Sequence, residues 1–302
     1  MALRRVSVTR YVAPFRQGGS LPALVEADDD GLYVVKFRGA AQGQRTLVAE
    51  IVVGEIGRAL GLLVPELVLV EMDEAIGRSE PDYEIRELLR RSEGLNLGLD
   101  FLPGAIDYAP SMPTPPAGVA AKVVWLDAYT SNVDRTVKNP NLLVWHRQLW
   151  LIDHGAALYF HHAGEPYLER VREPAPRTAE HPLRPLVTRA ALEEADGAAR
   201  AALSDDRLRE IVGLVPEEWL YEPAREGAAG GEGGEGGEGG EGGEGGEGGE
   251  GGEGDRDETA DAGEPEGDDA GRAANAAREE YLAYLIARRD ASQSFMEAMG
   301  LP

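Results

Sequence analysis

The sequence predicts an α+β protein in which a β-rich N-terminal part precedes a helical C-terminal part. Three observations predict it. Before Gly104, apolar and polar residues follow strand patterns, as in VSVTRYVAPF, LYVVKF and ELVLVEM. From Gly118 onward apolar residues recur at helical spacing, as in AGVAAKVVWLDAYTSN and DDRLREIVGLV. The elements also run in one order: strand, strand, a lysine-bearing strand, helix, strand, strand, then helices.

VSVTRYVAPF is the first strand, and RQGGSLP turns it into ALVEADD. The run ADDDG is a tight hairpin signal before LYVVKFRG. TLVAEIVVGEIGRALGL has helical periodicity, with Thr46 as its expected cap, and Pro65 leads into the strand ELVLVEM. Residues 73–95 are expected to be mostly helical, and LGLDFLPGA to be a strand leaving into a turn. This places a β-rich lobe at 1–103 and a helical lobe at 104–222. Within the second lobe, the helix of AGVAAKVVWLDAYTSN leads into SNVDRTVKNPNLLVWHRQLWLIDHG. There a carboxylate and several amides precede a β-hairpin, and a second carboxylate follows it. RAALEEADGAARAAL and DDRLREIVGLV supply two more helices.

Composition excludes several function classes. The 302 residues carry a net charge of −24, but residues 222–270 hold 18 acidic residues against two Arg, leaving only −8 elsewhere. No broad basic surface is expected, hence no direct nucleic-acid partner. There is no Cys, hence no disulfide, thiolate nucleophile or Cys-based zinc site. The start lacks a signal-peptide core and no run is long enough to span a membrane, so the expected setting is cytoplasmic. His154, His161 and His162 lack acidic partners at ligand spacing and read as surface or pocket residues.

Glu stands at every third position from Glu232 to Glu253 in a Gly background. Without Pro a collagen helix has no stiffening residue, and like charges extend a Gly-rich coil. Residues 223–271 are therefore expected to be a disordered insertion. Beyond it, Tyr281, Leu282, Leu285, Ile286 and Phe295 recur at helical spacing, which predicts a helix in 272–302 packing back on the body.

Lys36, Glu50, Asp134 with its nearby Asn residues, and Asp153 together form a chemically coherent set. Phosphoryl transfer from ATP needs positioning and charge neutralisation rather than covalent chemistry. A strand Lys can reach the α/β-phosphates, a helix Glu can hold that Lys, and a Gly-rich turn can offer backbone N–H groups. One Asp can take or orient the acceptor hydroxyl, while an Asn and a second Asp offer hard oxygens to Mg²⁺. Asp153 lies between LWLI and HGAAL, where a carboxylate without a partner is costly.

With these residues in place, the chain resembles the HipA-like kinases, distant relatives of protein kinases and phosphatidylinositol kinases. The resemblance rests on Asn132-Val133-Asp134-Arg135, a downstream Asn, the hairpin, and Ile152-Asp153-His154-Gly155. It covers roughly residues 5–220 and the final helix, but not the Gly-Glu insertion. It implies a bilobal protein-kinase-like fold using ATP and Mg²⁺. Asp134 would be the catalytic base and Asp153 the metal ligand, with His154 where protein kinases carry a Phe. Asn139 and Asn141 are both candidates for the second metal ligand. Lys36 would be the ATP lysine and Glu50 its partner, with Glu55 as the alternative. Gly18, Gly19 and Ser20 would cover the phosphates, and adenine would meet the backbone near Asp100, Phe101 and Leu102.

The implied function is transfer of the γ-phosphoryl group to a hydroxyl, Ser or Thr of a protein substrate. An antitoxin-like or regulatory partner is the other expected contact. The rival readings are a nucleotide-binding scaffold, disfavoured because both carboxylates are kept, and a small-molecule or lipid kinase. An acidic surface works against a lipid face.

Overall fold

The strand-patterned first hundred residues close into a barrel. The computed structural model describes residues 2–15, 21–40, 43–78, 80–158, 160, 167–175, 177–220 and 267–301. The barrel comprises β1 (Arg4–Pro14), β2 (Ala23–Ala27), β3 (Leu32–Lys36), β4 (Leu67–Met72) and β5 (Gly94–Asp100), in the order β1-β2-β3-β5-β4. Its strands pair antiparallel except β1 with β4, which run parallel over Arg4–Ser7 and Val68–Glu71. β1 serves two neighbours because it is long and irregular. Its first half pairs with β4 and its second with β2, with register shifts after Val8 and Tyr11. Val6, Val25, Tyr33, Val35, Val68 and Val70 fill the interior.

The ADDDG signal is realised as the β2–β3 turn. Asp30 takes φ 60°, and the Asp29 carboxylate accepts the Gly31 N–H at 3.0 Å. The interval 73–95 is less helical than its composition suggested. A short 3₁₀ turn at Glu74–Gly77 and helix α2 (Tyr83–Arg91) are each capped by an Asp, and β5 starts at Gly94. Pro81 stands between the two helical pieces, and a helix cannot run through the residue before a proline without strain. α2 lays Ile85, Leu88 and Leu89 against the barrel.

Helix α1 (Gln44–Ala59) starts two residues before Thr46, so Thr46 is not its cap; Gly43 precedes the first turn with φ 71° and offers no side chain. α1 buries residues on every face, including the carboxylate of Glu50. Such a helix belongs between two packed layers. Here it lies between the barrel and α3 (Ala117–Tyr129), itself buried from Ala120 to Tyr129 apart from Lys122.

β6 (Ile106–Asp107), β7 (Leu142–Trp145) and β8 (Gln148–Leu151) make a small antiparallel sheet. The β7–β8 turn puts both His146 and Arg147 at positive φ, 48° and 63°, as a two-residue primed turn requires. Helices α4 (Arg189–Ala202) and α5 (Asp205–Val212) are capped by the Thr188 and Ser204 hydroxyls.

The C-terminal helix is two helices, α6 (Gly267–Asp290) and α7 (Ser292–Ala298), broken at Ala291. α6 begins inside the stretch read as an insertion, so the helical segment starts earlier than residue 272. Tyr281, Leu282, Leu285 and Phe295 are buried in the common core, with Ile286 packed at its edge. The Gly-Gly-Glu run lies outside the described residues. Among the described residues no helix is long and apolar enough to cross a membrane.

Candidate active site

The side chains singled out by sequence meet at a cleft of about 1280 Å³ between the barrel and the β7–β8 region. Lys36 ends β3 and lines it; Asp153 follows β8 and faces Lys36. The Lys36 Nζ donates to Asp153 Oδ1 at 2.5 Å and also to Glu50 Oε1. Glu50 is wholly buried in α1, and its Oε1 also accepts the Gly155 N–H at 2.7 Å. Gly155 has no room for a side chain: a Cβ would stand 2.3 Å from Thr46 Cγ2 and 3.1 Å from Glu50 Oε1. Glu55 pairs with Arg58 instead, which leaves Glu50 as the partner of Lys36.

The electrostatics follow from the packing. Burial alone would depress the Lys36 ammonium, but the flanking Glu50 and Asp153 carboxylates hold it above its usual range. Burial would raise Asp153, yet Lys36 holds its carboxyl below the usual carboxylate range. Burial pushes Glu50 up, against the pull of the same ammonium. Near Lys36 the cleft therefore presents one partly exposed carboxylate, that of Asp153.

Across the cleft, Asp134 sits in the loop after α3. Its Oδ2 accepts from Asn139 Nδ2 at 2.8 Å and from Asn141 Nδ2 at 3.0 Å, while its own N–H donates to Asn132 Oδ1 at 3.0 Å. Both Asn candidates are thus brought to the same carboxylate. Asn141 and Asp153 take φ of 49° and 58°, a left-handed conformation that Asn and Asp tolerate better than most residues. Asp100, Phe101 and Leu102 line the cleft where β5 ends. The Asp100 and Phe101 N–H groups donate to Glu66 and Leu32 carbonyls, whereas no described acceptor takes the Leu102 N–H. Gly18, Gly19 and Ser20 lie outside the described residues.

Sequence reading missed what holds the Asp134 loop. Arg135 is 2% exposed and donates through Nε to Asp127 Oδ2 at 2.6 Å. It also donates to the Pro140 and Ile152 carbonyls at 3.3 Å each, to the Asn141 carbonyl, and meets His154 Nδ1 at 3.2 Å. The buried Asp127 carboxylate further meets His181 Nε2 at 2.9 Å and accepts from Asn132 Nδ2 at 3.1 Å. Burial would raise Asp127, but Arg135 and His181 hold it down at about 2. The available signal was an Asp in the otherwise apolar VVWLDAY; His181 carries none in sequence.

His154 fills a buried slot behind Asp153, and its Nε2 has no partner among the described residues. Burial, helped by the Arg135 cation, pushes the imidazole down to about 3. The unfolded chain binds this proton near pH 6.5 and the folded chain does not, so the stability His154 supports is present above 6.5 and lost on acidification. Between pH 7 and pH 5 the loss from this group is expected to be about 2 kcal/mol. Denaturant melts of the wild type and His154→Phe at both pH values test it. Glu50 titrates in the opposite sense but is common to both proteins. Equal losses in the two proteins would refute the assignment.

The chain belongs to the HipA-like kinase family, whose profile matches residues 8–229. It is accordingly a kinase, a phosphotransferase by class. Among solved structures it is similar to the proinflammatory kinase CtkA of Helicobacter pylori, at 12% identity and a TM-score of 0.45, over 71% of this chain and 88% of that one. No curated protein matches it.

Proposed function

We propose that the protein is an ATP-dependent kinase with a bilobal protein-kinase-like arrangement, transferring the γ-phosphoryl group of Mg-ATP to a hydroxyl of a protein Ser or Thr. The observation that carries this reading is the Lys36–Asp153 contact in a cleft whose other side presents Asp134.

The donor set fits a magnesium ion. Asp153 leaves 46% of its side chain exposed at the cleft, and both Asn amides aim nitrogen at Asp134, which turns their oxygens elsewhere. Among the described residues no group of three or more His, Asp or Glu could hold a metal alone. Mg²⁺ commonly binds through one or two protein oxygens together with phosphate and water, so the sparse set matches it. Asp153 and either Asn139 or Asn141 would hold the ion, which supplies neutralisation of phosphate charge.

Each residue of the chain then has a stated task. Glu50, itself held by the Gly155 N–H, fixes Lys36 so that its ammonium can meet phosphate oxygens. The two amide donors occupy Asp134 Oδ2 and fix the carboxylate plane, leaving Oδ1 to accept the acceptor hydroxyl's proton. The Leu102 N–H is the group on the β5 exit that suits an adenine acceptor nitrogen. Arg135 ties the Asp134 loop to the backbone beside Asp153, so the two carboxylates keep their spacing.

Incubation with [γ-³²P]ATP and Mg²⁺, with and without excess chelator, tests the reading. Labelled protein, in the chain itself or in a lysate, is expected only when free Mg²⁺ is present. No label above the chelated control, in either sample, would overturn it.

A further inference from the structure

Arg288 of α6 is 1% exposed and has no carboxylate partner among the described residues. Its donors go to four backbone carbonyls instead. Nε donates to Tyr129 O at 3.2 Å and Nη2 to Ala128 O at 2.9 Å. Nη1 donates to both Val171 O and Glu173 O at 2.6 Å. The Phe295 ring centroid lies 4.7 Å from the guanidinium carbon. Burial holds this guanidinium below its ordinary value.

The two carbonyls taken by Nε and Nη2 belong to the last turn of α3, where a positive charge is favoured. From that point the chain turns through Thr130 and Ser131, the latter at φ 55°, into Asn132, Asp134 and Arg135. The other two carbonyls belong to the segment that follows the Asp153 hairpin. Two further contacts tie α6 to the same place. Tyr129 Oη donates to Leu285 O at 2.8 Å, and the Tyr284 and Ser131 hydroxyls stand 3.4 Å apart. None of these α6 residues falls within the span matched by the family profile.

We infer that Arg288 is a positioning residue for phosphoryl transfer: it fastens the end of α3 to the post-hairpin segment and so sets where the Asp134 loop begins. A kinase truncated after residue 220 would keep every motif residue and lose this clamp. The catalytic consequence rests on the proposed kinase reading; the structural consequence rests on the contacts alone.

The test is Arg288→Lys in the full chain. Lysine keeps the charge but places its donors on one nitrogen, which cannot span four carbonyls in the guanidinium fork's geometry. Affinity for a fluorescent ATP analogue is expected to stay within about twofold, while transfer falls by about tenfold or more, as a small displacement of a reacting group produces. Amide hydrogen exchange at residues 130–136 is expected to quicken. Wild-type transfer and exchange far below the melting temperature would overturn the inference, as would equal losses of affinity and rate.

Should Arg288→Lys not fold, Tyr129→Phe removes one strut of the same clamp. It is expected to slow transfer and quicken exchange to a smaller degree, and wild-type behaviour in it also overturns the inference. Absence of transfer by the wild-type chain would defeat the kinase reading. Exchange at 130–136 would then decide the clamp by itself.

Discussion

Replacing Asp134 by Asn is expected to lower phosphoryl transfer by about 10²- to 10⁴-fold while leaving nucleotide affinity within about twofold, the loss typical of removing a positioned general base. The substitution keeps the side chain's volume and its ability to accept from Asn139 or Asn141. It removes the charge proposed to take the hydroxyl proton. The amide also brings its own donor towards two others at 2.8 and 3.0 Å, so it will turn to present its oxygen to them. That orientation points the new NH₂ at the position proposed for the acceptor. Single-turnover transfer and equilibrium binding, measured side by side, separate the two effects. A variant that transfers phosphate within about twofold of the wild type would remove Asp134 from the chemistry.

Lys36→Met is expected to act on stability as well as on nucleotide binding. In the wild type the ammonium is the cation facing Glu50, a wholly buried carboxylate. Breaking a buried pair from one side strands the other charge, at a cost of about 3–5 kcal/mol. The second substitution that should recover most of this is Glu50→Gln, because a neutral amide retains a carbonyl for the Gly155 N–H. The double variant should therefore melt near the wild type yet still fail to bind Mg-ATP, since the cation proposed to face the phosphates is gone. Chemical denaturation of the four proteins in the cycle, with ATP titrations, gives both answers. A double variant as unstable as Lys36→Met would refute the stranded-charge account. One that binds ATP normally would dismiss Lys36 as a phosphate ligand.

The parts of this architecture that were readable in sequence are those set by short-range rules. Period-two alternation and the ADDDG turn marked the hairpin that carries Lys36, and a polar His-Arg pair between apolar runs marked β7 and β8. The left-handed backbone at Asn141 and Asp153 was foreshadowed by residue type, because these are side chains that tolerate it. Long-range choices left no such trace. Nothing local says that β1 should lie parallel to β4, since that pairing depends on where α1 delivers the chain. The interval 73–95 carries helix-forming residues around Pro81, and the ring's steric demand overrode them. His181 and Arg288 were invisible as partners because the His181–Asp127 contact and those of Arg288 with the end of α3 join positions 54 to 160 residues apart.

The parallel seam between β1 and β4 bears on how this molecule can meet others. Over Arg4–Ser7 the first strand of the barrel also serves as its last, so that stretch offers no row of vacant amides and carbonyls for a foreign strand to adopt. Recognition by strand addition is thereby denied to the seam. Any protein that the kinase modifies is left the loops and helices around the cleft mouth and the open edges elsewhere, β6 among them.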